Sequence, residues 1–222
     1  MLRWLQRLAP DSSGLTEINT RFLEMLQDGR HIFDAAANCL LGGADPEVIR
    51  EDLFKTDVRI NKTEQLIRRE IVVHGSVHGA ATFPALLVMM SLVKDAERIG
   101  DYAKNLFDLA VHRPVLGSPE RIKELVDRKD TISHMLVRAQ HLIESQDVDG
   151  AQKFLKNADT VEDECDAEIE RLIKIENENV AARVLIQRYF KRTTGHISNT
   201  VTSVVMPVDK LDYYPGKPHS EQ

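Results

Sequence analysis

Glu97 and Asp101 stand four residues apart in the run Asp95-Ala-Glu-Arg-Ile-Gly-Asp101-Tyr-Ala-Lys-Asn105. On a helix this spacing stacks two carboxylates one turn apart on one face, where they repel unless a cation joins them. Asp57 and Asn61 carry the same spacing earlier in the chain, and Asp159 and Asp163 carry it later. Two helices that face each other with such pairs bring up to four oxygen-bearing side chains together, which is how helical bundles hold hard cations. The competing reading is a solvated acidic stripe neutralised by Arg98, Lys94 or Lys104.

Other chemistry finds no support in the residues. Glu-x-x-His, which carboxylate-bridged oxidase bundles use in pairs, does not occur, and His141-Leu-Ile-Glu144 has the reverse order and reads as surface. Glycine-rich phosphate loops, a Gly-x-Ser-x-Gly elbow and a His-Glu-x-x-His zinc motif are all missing, so the chain reads as a non-enzyme. His196 is a lone helical histidine and reads as a packing or hydrogen-bonding residue before a ligand. Cys39 and Cys165 lack metal spacing and read as two buried or idle thiols in a reducing compartment. A net charge of -6, with no basic cluster beyond Arg68-Arg69 and Lys191-Arg192, argues against a nucleic-acid partner.

The acid pair must be positioned by a helix, and the residues beside it describe one. Leu86, Met89, Val93, Ala96, Gly100, Ala103, Phe107 and Ala110 recur at three- and four-residue steps and draw a packing seam. The seam is small at Ala96, Gly100 and Ala103, which admits a closely approaching neighbour. Around this helix the periodicity predicts five others. The first runs from Leu15 to Gly42-Gly43, and the second starts at Asp45-Pro46 and runs to about His74, before Gly75 and Gly79. The third spans Phe83 or Pro84 to His112. The fourth starts at Ser118-Pro119, and the fifth follows the Asp147-to-Gly150 turn to roughly Ile175. The sixth runs from about Asn179 to Met206, with Asn177 or Asn179 as its cap and Pro207 as its stop.

The chain divides near residues 113–117 into two sets of three helices, in register by Asp57/Asp159 and Asp101/Gly195. The expected architecture is all-α: tandem antiparallel three-helix bundles over 15–113 and 118–206, with an N-terminal segment 1–14 and a tail 207–222. Leu2, Trp4, Leu5 and Leu8 alternate with Arg3 and Arg7, which reads as a frayed terminus or a cover for the bundle end, with an interfacial anchor as the alternative. No apolar run is long enough to span a membrane and no signal peptide is visible, so the expected location is cytoplasmic.

The run Glu97-Arg-Ile-Gly-Asp101-Tyr-Ala-Lys-Asn105 resembles the Glu-Arg-Ile-Gly-Asp-x-Ala-x-Asn signature of the PhoU family, and the repeat, the length and Asp57-x-x-x-Asn61 agree with it. The resemblance implies two three-helix bundles, usually as a homodimer, in a cytoplasmic, non-enzymatic negative regulator of the phosphate-starvation response. It implies as partners the ATPase subunit of a phosphate transporter and a phosphate-sensing histidine kinase, with the membrane approached only through them. It further implies a metal, iron or else zinc, manganese or magnesium, at Asp57, Asn61, Glu97 and Asp101, and in the second repeat at Asp159 and Asp163 only. There the signature's second copy reads Lys191-Arg-Thr-Thr-Gly195, so the second site is depleted. This departure suggests a divergent paralogue that serves a sodium/phosphate symporter or low-affinity phosphate carrier.

Overall fold

The computed structural model describes residues 13–176 and 179–213. Six long helices make up the fold: α1 (Ser13–Gly42), α2 (Glu47–His78), α3 (Phe83–Val111), α4 (Pro119–Ser145), α5 (Val148–Ile173) and α6 (Ala181–Val205). Among the described residues there is no strand, and no helix is long and apolar enough to cross a membrane. The readings of the Leu/Trp/Arg segment, of Asn177 as a cap and of the tail beyond Tyr213 lie outside the described residues.

Local chemistry explains most helix ends. Asp45 Oδ1 accepts the Glu47 N–H at 3.3 Å ahead of α2, and Asp147 Oδ1 accepts the Gly150 N–H at 2.9 Å as the cap of α5. Asn179 Oδ1 does the same for Ala181 at the start of α6. Gly75 departs from expectation: α2 runs through it to His78 and stops at Gly79, whose φ of 74° is open to glycine. Gly75 sits where a Cβ would come within 3.1 Å of Leu86 and Phe83, so its missing side chain lets α2 and α3 meet.

All eight seam positions of α3 are buried. In the first half α1 packs along both α2 and α3; in the second, α6 packs along both α4 and α5, which scarcely touch each other. The halves meet where α3 lies against α6 and α1 against α4, so one apolar core runs from Phe22 and Phe33 through Phe107 to Phe154 and Phe190. Burying each such ring contributes about 1.5–3 kcal/mol. Gly29 of α1 also comes close to α3: a Cβ there would lie 3.2 Å from Ile99 and 4.0 Å from the Ala96 carbonyl. Cys39 and Cys165 are free and buried.

Candidate functional site

Packing α2 against α3 brings Asp57, Asn61, Glu64, Glu97 and Asp101 to one side of the first bundle. Asp57 is only 8% exposed. Its Oδ2 accepts from Asn61 Nδ2 at 3.4 Å, and its Oδ1 lies 3.0 Å from Lys104 Nζ. The same ammonium lies 3.0 Å from Asp101 Oδ1, so Lys104 bridges the two helices by joining their carboxylates. Arg98 Nη1 donates to Asp101 Oδ2 at 3.0 Å and its Nε stands 3.7 Å from Glu97 Oε2. Glu64 is held by Arg68 at 2.7 Å.

Proximity of like charges sets the protonation of this group. Burial, then the charges of Asp101 and Glu64, push the Glu97 carboxyl up from 4.5 to about 7, against the pull of Arg98. Burial alone would lower Lys104; hydrogen bonds from it to Asp57 and Asp101 overcome that and hold it above the ordinary lysine range. Glu97 is therefore able to exchange a proton near neutrality beside a fixed ammonium. The donor chemistry suits a hard cation, but Lys104 Nζ stands between Asp57 and Asp101, and among the described residues no three His, Cys, Asp or Glu side chains form a cation-binding group. As placed, these residues do not fit a metal. Of the three cations in the competing reading, Arg98 and Lys104 pair with Asp101. Glu64 escaped the sequence reading, although it falls seven residues after Asp57 on the same face of α2.

The second half presents a related but different arrangement. Asp159 of α5 lines a cavity of about 250 Å³ with Glu162, Lys191, Gly195 and His196. Asp163 is exposed and does not line it; Glu162 is the inward acid, three residues after Asp159. Burial, opposed by Lys191, raises the Glu162 carboxyl above its ordinary value. Lys191 pairs with Asp166 of α5. A Cβ on Gly195 would lie 3.6 Å from Glu162, so the place that Asp101 fills in the first half here opens onto an acid.

Between the halves lies a group that the spacing of acids did not reveal. Asp95 of α3 is 0% exposed, and its Oδ1 accepts from His196 Nδ1 at 2.7 Å and from Asn199 Nδ2 at 3.0 Å, both on α6. Its Oδ2 is buried without a hydrogen bond. The Tyr102 ring stacks on His196 with centroids 5.6 Å apart, and Arg192 Nε donates to the Tyr102 hydroxyl at 3.2 Å. Burial and the Asp95 charge raise the nearby Asp212 carboxyl. His196 is thus the hydrogen-bonding residue its isolation suggested. The available signal for Asp95 was a second stripe on α3, Val88, Leu92, Ile99 and Leu106, in which Asp95 occupies a helical step.

The PhoU domain family model matches residues 22–110, the part that holds the Lys104-bridged acids. The fold is similar to the crystal structure of PhoU from Pseudomonas aeruginosa, with a TM-score of 0.78 at 20% identity over 87% of this chain and 96% of that one. It is also similar to the phosphate transport system regulatory protein PhoU from Streptococcus pneumoniae, with a TM-score of 0.71 at 17% identity over 86% of this chain and 93% of that one. No curated protein matches the chain.

Proposed function

We propose, from the match of residues 22–110 to the PhoU domain family model, that the chain is a cytoplasmic regulator of phosphate uptake and phosphate-starvation signalling that acts by binding. The observation that supports this most is the coincidence of that match with the Glu97-to-Asn105 run, on a helix pair whose acids gather around Lys104. Its partners on this reading are a phosphate transporter component, the ATPase subunit or a symporter, and a phosphate-sensing kinase, engaged by a homodimer without chemistry of its own. The diverged Lys191-to-Gly195 segment favours a symporter or low-affinity carrier. Deleting the gene and following phosphate uptake and a phosphate-starvation reporter in replete medium tests the regulatory reading. Deregulated uptake or reporter expression is expected, and wild-type behaviour of both would overturn it. Pull-down from replete cells then decides which membrane partner is engaged.

A second reading starts from Glu97, whose carboxyl is raised first by burial and then by the charges of Asp101 and Glu64. On this reading Asp57, Asn61, Glu97 and Asp101 take up iron, zinc, manganese or magnesium once Lys104 swings aside. Elemental analysis of protein purified without chelator tests it: metal lost on Asp101→Ala supports it, and metal-free protein of full stability refutes it.

A further inference from the structure

Charged residues make up 29% of the chain, yet residues 71–93 contain no Asp, Glu, Lys or Arg. This run forms the tip of the α2–α3 hairpin, from the last turns of α2 through Gly79 to the first turns of α3. Residues 76–81 are all exposed, where a solvated connection would carry charge. Connections elsewhere do so: Asp45 and Glu47 lead into α2, Arg113 and Glu120 into α4, and Asp147 into α5. Around the uncharged tip Val72, Val73, Val77, Phe83 and Leu87 are 49–72% exposed. Val72 and Val73 point about 100° apart on α2, and the Phe83 ring lies over Gly75, so the apolar surface wraps the tip instead of forming one flat face.

Both arms stay free of charge to a similar depth. Glu70 stands about 12 Å before the end of α2 and Lys94 about 16 Å after the start of α3. At that level the charges nearly balance: Glu17 and Glu70 pair with Arg21, Arg68 with Glu64, and Lys94 lies near Asp212, with Arg69 exposed beside them. At about 100 Å² each, the five apolar side chains offer about 500 Å², at the upper end of what a monomer exposes and short of the about 800 Å² per partner of a stable protein interface. An apolar projection without charge suits a medium that has neither fixed shape nor charge inside it. We propose that the α2–α3 tip inserts into a lipid surface, with Val77, Phe83 and Leu87 among the acyl chains and Arg69, Glu70 and Lys94 left at the headgroups. Such insertion reaches about 5–10 Å past the headgroup boundary, within the uncharged depth of both arms. Apolar burial and not charge drives it, so neutral and anionic lipid are expected to serve alike. The inference stands apart from the regulatory reading and does not depend on it.

Flotation of the full chain with vesicles tests this, using phosphatidylcholine alone and phosphatidylcholine mixed with phosphatidylglycerol. The chains compared are the wild type, Leu87→Glu, Val77→Glu, their double variant and Val48→Glu, which alters an exposed valine at the opposite end of α2. Far-UV circular dichroism confirms intact helices, and the milder Val72→Gln replaces any variant that unfolds. The wild type is expected to float with both kinds of vesicle and to stay bound in about 0.5 M salt, which screens surface charge. Each single tip variant lowers the bound fraction several-fold and the double variant abolishes it, while Val48→Glu binds as the wild type does. A wild-type chain that fails to float overturns the proposal, as does undiminished binding by the double variant or an equal loss in Val48→Glu. Binding that needs phosphatidylglycerol and is removed by salt assigns the contact to surface charge, and self-association lost in Leu87→Glu without any flotation assigns the tip to a second copy; either result also overturns it.

Discussion

Replacing Glu97 by Gln removes one negative charge from the acid group while keeping the size and a donor toward Asp101. The folded chain holds the Glu97 proton up to about pH 7, against 4.5 ordinarily. Between those values the folded state binds more protons than the unfolded one, so this residue's contribution falls as pH rises through the window and is fully unfavourable above about 7. At about 1.4 kcal/mol per pH unit the gap bounds the penalty at about 3 kcal/mol. The Glu97 side chain keeps 18% exposure and has Arg98 beside it, so solvent screening reduces this to about 1–2 kcal/mol. Glu97→Gln is therefore expected to be more stable than the wild type by that amount at pH 8, with the difference shrinking below about 0.5 kcal/mol near pH 4.5. Urea unfolding at both pH values, with chelator present and equal m-values as the control, reads it. A Gln variant less stable than the wild type at pH 8, or an equal difference at both pH values, would refute the reasoning that like charge and burial dominate this site.

Other perturbations test the remaining contacts. Lys104→Met strands Asp57 and Asp101 beside each other and is expected to cost about 1–3 kcal/mol, midway between exposed and buried pairs; adding Asp57→Asn should recover most of it in urea unfolding, and no recovery would deny the bridge. His196→Gln weakens the main partner of the fully buried Asp95 and is expected to cost about 2–4 kcal/mol. The double variant with Asp95→Asn should regain at least half of that, and purely additive losses would mean the pair is not coupled. Gly195→Ala meets nothing closer than 3.6 Å, so the ordinary helix gain of about 0.5–1 kcal/mol should be seen as a raised melting temperature. Gly100→Ala, which meets Ile60 at 3.3 Å, should gain less; the reverse order would contradict the packing described.

Much of this molecule is legible in its periodicity. The α3 seam from Leu86 to Ala110 is buried at every step because a long amphipathic helix has one way to hide its apolar stripe. Proline and Asp signals placed the starts of α2, α4 and α5 to within a residue or two, since capping is a local matter. Gly75 misled because glycine reads as a breaker in isolation, whereas here it makes room between packed helices. The candidate acids were likewise legible as two pairs, since Asp57 with Asn61 and Glu97 with Asp101 share a helix face by spacing alone.

What joins them was decided only by tertiary structure. Whether Lys104 faces solvent or spans Asp57 and Asp101 depends on the distance between two helices, which no single-helix pattern contains. Glu162 in place of Asp163 at the second cavity turns on the rotation of α5 about its axis. The Asp95–His196 pair joins residues 101 apart in sequence, and exists because α3 is buried on two sides, one against its own bundle and one against α6. Charge spacing along a helix is a one-dimensional property fixed by the peptide geometry. Burial and partner choice are set by the surfaces that meet it, and those come from parts of the chain far away.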